Sequence, residues 1–307
     1  MAPKELGSEK HHLSRKKKHA QWHLFGSSVR GTSHVAKGLV NQDAIKWLPQ
    51  EGRGELALMA VADGHGSAIH FRSDQGSKFA VTVAIEVLFD IMTQEIDPPG
   101  GDISSLKKIV YSSLAKAISH KWEQAVDAHI AKNPFTTEEE PFLKAKLGSP
   151  IITPEKARIA YGSTLLVAAI KKDFFAVYAQ ISDGDILLVD KDGKVSNPVS
   201  KKAQLLTNEA TASLCHSNNW NEFKINFQEY CDDEYLPELI LLATDGYSNS
   251  FSTYKSFEKI GSDYLSMIRS EGLDAIKNRL GKILIDTSKR GSGDDITVGI
   301  IVKDVKK

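Results

Sequence analysis

The chain has 307 residues, 41% hydrophobic and 25% charged, with 39 Lys+Arg balancing 39 Asp+Glu to a formal charge of zero. That length suits one large domain or two small ones, and the even balance argues against a dedicated nucleic-acid binder, which carries a basic excess. No apolar run reaches the ~18 residues of a membrane span, and Cys215 and Cys231 are too few for a disulfide framework or a four-cysteine zinc site.

Residues 1–23 read as a basic, disordered tail, with Arg15, Lys16, Lys17 and Lys18 offering a docking patch for an anionic partner. The N-terminus lacks the apolar core of a secretory signal, which implies a cytoplasmic chain. A single domain is expected over 24–305. Apolar runs at 24–29, 43–48 and 55–62, bounded by Gly, Pro and Asn, predict strands. Phe79, Val83, Val87 and Ile91 recur at four-residue steps and predict a helix over 73–92, broken by Pro98, Pro99, Gly100 and Gly101. A second helix is predicted over 103–132 from the stripe Leu106, Val110, Leu114, Ile118, Trp122 and Val126. The proline-rich stretch at about 130–160 reads as an excursion from the core.

Strands return at 164–170, 174–180 and 185–189, the last entering a hairpin turn at Asp190-Lys191-Asp192-Gly193. The polar, irregular stretch at about 191–236 reads as a flap. A buried strand at 238–243, helices at about 254–270 and 273–286, and a strand at 296–302 complete the chain. This order predicts an α+β fold of packed sheets with helices outside.

Three strands meet acids at their ends. Residues 56–62 run into Asp63-Gly64-His65-Gly66, residues 239–243 into Thr244-Asp245-Gly246, and Gly293-Asp294-Asp295 leads into the final strand. Each Asp-Gly alone reads as a turn. If the last strand runs antiparallel to the others, however, Asp63, Asp245 and Asp294 meet at one edge. Clustered carboxylates raise one another's pKa, and hard divalent cations bound through oxygen relieve the repulsion. The cluster reads as a metal site with His65 at its rim.

The ordered motifs Gly31-Thr32-Ser33-His34, Asn41-Gln42-Asp43, Asp63-Gly64-His65-Gly66, Tyr161-Gly162-Ser163-Thr164, Ile181-Ser182-Asp183-Gly184-Asp185, Ala243-Thr244-Asp245-Gly246 and Gly293-Asp294-Asp295-Ile296-Thr297 resemble those of the metal-dependent protein serine/threonine phosphatases of type 2C, bacterial-type branch. The resemblance implies a four-layer α-β-β-α sandwich around a central antiparallel β-sandwich. It also implies two core Mn²⁺ or Mg²⁺ ions. Asp63 would bridge them, the Gly64 carbonyl would ligate, Asp245 and Asp294 would complete one ion's ligands, and Asp183 would help hold a third, weaker ion. Asp43 would orient the attacking water, and His65 would act as general acid. The implied reaction is in-line hydrolysis of phosphoserine and phosphothreonine in a phosphoprotein substrate by metal-activated water.

Two positions depart from the family pattern. Gln42 stands where many members carry glutamate, and Gly38 where many carry a phosphate-gripping arginine. Arg30, His34, Lys37 and Arg72 are candidate substitutes, although His34 also reads as a core histidine. These departures keep two other readings open: a catalytically silent phosphatase-fold binding module, and a phosphatase of a small phosphorylated metabolite.

Overall fold

The computed structural model describes residues 21–96, 102–171, 175–199, 212–230 and 236–304. The sequence expectations for residues 1–20, the 98–101 break, Cys231 and the middle of the 191–236 stretch lie outside them. β1 begins at Trp22, which is fully buried and pairs with Lys303, so residues 22 and 23 belong to the sheet and not to the tail.

Two antiparallel sheets form the centre. One has the order β3 (Arg53–Gly54), β1 (Trp22–Val29), β11 (Ile296–Lys303), β10 (Leu239–Ala243), β7 (Asp185–Val189) and β8 (Val195–Ser196). The other runs β2 (Ala44–Leu48), β4 (Leu56–Ala62), β5 (Leu165–Lys171), β6 (Phe175–Ile181) and β9 (Lys224–Glu229). The strands β6, β7, β10 and β11 are buried at every position, because both faces of each sheet are covered. Trp22, Leu24, Met59, Val61, Tyr178 and Leu242 fill the space between the sheets. Full burial of such side chains contributes roughly 1.5–3 kcal/mol each.

Helices α2 (Ser73–Ile96) and α4 (Ala115–Lys132) cover the second sheet, where Ala84, Leu88, Ile118 and Trp122 share a core with Leu58 and Val167. Helices α8 (Tyr254–Glu271) and α9 (Leu273–Arg290) cover the first through Phe257, Leu265, Ile276 and Leu280. The four-layer sandwich expected from the family resemblance is therefore the observed architecture.

The predicted 103–132 helix is α3 (Ile103–Ile109) and α4 joined by a π-helical turn, Val110–Leu114, with all six stripe residues buried. The wider turn aims Tyr111 at the border strand β9. Its hydroxyl accepts the Phe227 N–H at 3.1 Å, and Lys107 pairs with Glu229 at 2.8 Å beside it. The 133–160 excursion holds α5 (Glu139–Leu147) and α6 (Pro154–Arg158), and it starts only after α4 ends at Lys132. The 190–193 turn closes the β7–β8 hairpin, with Asp190 Oδ1 accepting the Asp192 and Lys194 N–H groups.

The flap expectation also fails in part. Residues 224–229, read as part of a flap, form β9 and pair with β6 from Phe175↔Glu229 to Gln180↔Lys224. As a border strand, β9 buries only Phe227, so its sequence Lys-Ile-Asn-Phe-Gln-Glu shows little apolar alternation.

Candidate active site

The antiparallel register brings the acids to one end of the sandwich. β10 pairs with β11 so that Ala243 lies opposite Val298, which puts Asp245 beside Asp294. β2 pairs with β4 so that Ala44 lies opposite Ala62, which sets Asp43 beside Asp63. Asp183 lies in the β6–β7 turn, where Ser182 takes φ +74° and Gly184 φ +98°. The Gln180 amide holds this turn by donating to the Ser182 and Gly184 carbonyls.

Asp63 is pinned through its backbone. Its N–H donates to Thr164 Oγ1 at 2.9 Å, while its carbonyl accepts Thr164 N–H at 2.8 Å and Ser163 Oγ at 3.1 Å. The Tyr161–Thr164 motif thus clamps the acid without supplying chemistry of its own. Gly64 follows where a Cβ would stand 2.7 Å from the Ser73 carbonyl and 2.8 Å from that of Gln42, so no side chain fits. Thr244 links the two sheets at the site, since its hydroxyl donates to Asp43 Oδ2 at 2.8 Å and accepts Thr297 N–H at 2.9 Å. Asp245 opens the short α7 (Asp245–Ser248), with Oδ2 held by the Asn249 amide at 2.9 Å.

Burial and mutual repulsion dominate the electrostatics. Burial first, and then Asp43, Asp245 and Asp294, hold the Asp63 carboxyl well above the usual carboxylate range. Asp245 is raised by burial and then by Asp183. Burial pushes Asp43 up to about 7. The Asp43 Oδ1 and Gln42 Oε1 atoms are buried without a hydrogen-bond partner among the described residues. The Gln42 amide is oriented by its Nε2, which donates to Ser73 Oγ at 2.7 Å.

Oxygens that are crowded and partly unpaired are the donor set a hard divalent cation takes up. No three His, Cys, Asp or Glu side chains among the described residues are preassembled to hold a metal ion. Instead burial and the neighbouring Asp43, Asp245 and Asp294 favour the protonated form of Asp63, a need that positive charge would answer. The residues fit a cation that displaces this proton.

His65 follows Gly64, and its backbone N–H donates to the Gly162 carbonyl at 3.0 Å. Its ring centroid is 5.0 Å from that of His70, and burial, then His70 and His216, lower its pKa to about 4. His216 comes from a separate segment, and His70, five residues on, meets His65 only through the path of the loop between them. Of the four cationic candidates for phosphate, Arg72 is already engaged. It bonds Glu139, the Tyr161 hydroxyl and the carbonyls of Asn133 and Pro134. Arg30 donates to the His34 carbonyl at 3.1 Å, and Lys37 lies exposed at the end of α1 (Thr32–Lys37).

Asp295 has a role that sequence reading missed. It is 3% exposed and accepts from Gly31 N–H at 2.6 Å, Gln42 N–H at 2.7 Å and His34 Nδ1 at 2.8 Å. It therefore ties the start of α1 and the Gln42-Asp43 loop to the Asp294 turn. The signal available was a second acid directly before a largely apolar strand that is buried at every position. Gly246 makes room for this turn, since a Cβ there would collide with the Asp295 carbonyl.

The sequence model of the family described as protein phosphatase 2C matches residues 30–285. The chain belongs to that family. No curated protein matches it in a sequence comparison. Among solved structures it is similar to PppA, a key regulatory component of T6SS in Pseudomonas aeruginosa, with 18% identity, TM-score 0.51, and 92% of this chain and 97% of that one covered. It is also similar to the catalytic domain of the serine/threonine phosphatase PstP in complex with two manganese ions, with 18% identity, TM-score 0.51, and 92% and 99% covered. A bacterial serine phosphatase aligns with 13% identity, TM-score 0.53, and 92% and 98% covered. At these identities the likenesses show the shared fold. No helix among the described residues is long and apolar enough to cross a membrane.

Proposed function

We propose that the protein is a Mn²⁺- or Mg²⁺-dependent phosphatase of phosphoserine and phosphothreonine in proteins. One observation carries this reading: half-buried Asp63 is crowded by Asp43, Asp245 and Asp294 at a sheet edge that also holds two buried oxygens without partners among the described residues. Maintaining such repulsion is costly, and a cation site is the arrangement that uses it. Family membership and the two manganese ions of PstP support the same assignment.

In this reading Asp63, the Gly64 carbonyl, Asp245 and Asp294 hold two ions, and Asp183 contributes to a third through its proximity to Asp245. When bound, the ions supply Lewis acidity toward the phosphoryl oxygens and toward water. Asp43, held by Thr244, orients the attacking water in line with phosphorus. His65 donates a proton to the departing serine or threonine oxygen. It rests neutral in the free protein, and the dianionic phosphate arriving beside it favours its charged form.

The test is hydrolysis of an aryl phosphate and a phosphothreonine peptide by wild type and Asp245→Ala, with Mn²⁺, Mg²⁺ or EDTA. Metal-dependent peptide hydrolysis that Asp245→Ala abolishes is expected. Turnover confined to small phosphorylated metabolites would replace the protein substrate. No turnover in millimolar metal would leave a silent binding module.

A further inference from the structure

We propose, resting on the protein-phosphatase reading, that Val35, Leu39 and Val40 at the end of α1 form a substrate subsite. It receives an apolar side chain of the substrate protein that lies within three residues of the phosphorylated serine or threonine.

This run of chain is held in a fixed shape. Gly38 takes φ +69°, its N–H donates to the Val35 carbonyl at 3.2 Å, and the Leu39 N–H donates to the His34 carbonyl at 2.9 Å. The two bonds make the glycine-ended helix stop, in which the residue after the glycine frequently packs back on the helix. Here Leu39 stays 42% exposed, with Val35 at 57% and Val40 at 59%. Three exposed apolar side chains thus fall within six consecutive residues, whereas on most surfaces such side chains stand singly. Gly38 leaves the middle of the run open, since even a Cβ there would meet no atom within 4 Å.

Both ends of the run are tied to the acids. At one end His34 Nδ1 bonds Asp295 Oδ2 at 2.8 Å, and Nε2 of the same ring lies 3.4 Å from Asp294 Oδ1. At the other end Asn41, Gln42 and Asp43 follow directly. The Gln42 N–H donates to Asp295 Oδ2 at 2.7 Å, and the Gln42 carbonyl accepts the Gly64 N–H at 3.1 Å. The run therefore borders the carboxylate cluster between Asp294 and the Asp63-Gly64 turn. An extended chain leaving that cluster at about 3.3 Å per residue reaches it within a few residues.

Charge and extent choose the occupant. Arg30 precedes the run and Lys37 interrupts it, both exposed, which suits a segment that carries a phosphate and disfavours a basic one. Six residues are too few for a second copy of the chain, because a standard interface engages about 20–30 residues a side. They match one or two side chains of a bound peptide. Where many relatives place an arginine at position 38, this chain selects its substrate by apolar contact beside the phosphate.

The test is a phosphothreonine peptide series in a Ser/Gly background, with Leu placed in turn at the three positions on either side, hydrolysed by full-length protein with Mn²⁺. The readout is the ratio of kcat/KM for each Leu peptide to that of the parent, which a general loss of activity does not move. We expect about tenfold preference for Leu at one or more positions, falling to a ratio near one when Val35→Ser and Val40→Ser are combined. Both side chains are more than half exposed, so the variant should fold. Circular dichroism checks this, and Val40→Ser alone serves if the pair disturbs α1. Val35→Ile with Val40→Ile should keep the preference. A ratio near one in wild type, or a preference that survives the serine pair, overturns the proposal and leaves the phosphatase reading standing. So does self-association or vesicle binding that the serine pair removes while wild type shows no Leu preference, which would give the run to a second copy or a lipid surface. Fluorescence anisotropy of labelled phosphonate analogues separates the two readings further. Leu-dependent binding without turnover of any substrate would remove the phosphatase and keep the subsite, and neither binding nor turnover would remove both.

Discussion

Arg72 Nη2 stands 2.7 Å from Glu139 Oε2, and the same guanidinium also reaches the carbonyls of Asn133 and Pro134. This places the start of α2 and the 133–147 segment under one clamp, with Phe135 stacked at 4.6 Å over the charge.

Arg72→Ala is expected to release this segment while leaving the carboxylate cluster in place. Each unmade bond to a buried group costs about 1–3 kcal/mol, so a total loss of roughly 1–3 kcal/mol is expected after solvent compensates the exposed carbonyls. Limited proteolysis should cut between 133 and 153 in the variant and spare wild type. Equal protection of both would show that the clamp is dispensable.

Asp63→Asn should stabilise the metal-free protein and abolish its response to metal. An acid whose folded pKa lies above its unfolded value makes stability fall as pH rises from the unfolded pKa toward the folded one. At pH 8 in EDTA the asparagine removes that penalty, for a gain of about 0.5–2 kcal/mol. Thermal melts with EDTA and with Mn²⁺ check both halves, and a variant melting below wild type in EDTA would refute the first.

His65 carries the opposite sign. Its folded pKa of about 4 lies below the ordinary 6.5, so the unfolded chain takes up the proton first and stability is lost as pH falls below 6.5. His65→Gln should therefore gain on wild type as pH is lowered from 7 to 5, read as the difference in melting temperature at each pH. If His65 donates to the leaving oxygen, the variant should also lose about 10²–10⁴ in kcat on a phosphothreonine peptide. The loss should be smaller on an aryl phosphate, whose leaving group needs less help.

Asp295→Ala should cost more stability than an exposed acid would, about 2–4 kcal/mol, because it strands the Gly31 and Gln42 N–H groups and the His34 ring together. Urea denaturation measures this. A change under 0.5 kcal/mol would mean that the three donors find other partners.

Asp63, Asp245 and Asp294 were legible because each interrupts or opens an apolar run, and because antiparallel pairing gathers such ends at one edge. The long helices were legible from their stripes, which are buried as expected. β9 was not, since a border strand with one covered face needs little apolar alternation. Arg72 could not be read correctly either. Its partners lie 61 to 89 positions away, and a basic residue near a glycine-rich motif looks the same whether it meets phosphate or glutamate. Asp295 shared this difficulty, because adjacency to Asp294 hid an inward-facing side chain behind an outward-facing one.

The π-helical turn at Val110–Leu114 has a consequence for solution behaviour. A border strand offers its outward N–H groups to any extended chain that drifts alongside, which is how folded proteins begin to polymerise. The Tyr111 hydroxyl caps one of those groups at the middle of β9, and the Lys107–Glu229 pair sets charge beside it. One extra residue in a helical turn thus acts as a guard against self-association, at a place remote from the acids and with no part in their chemistry.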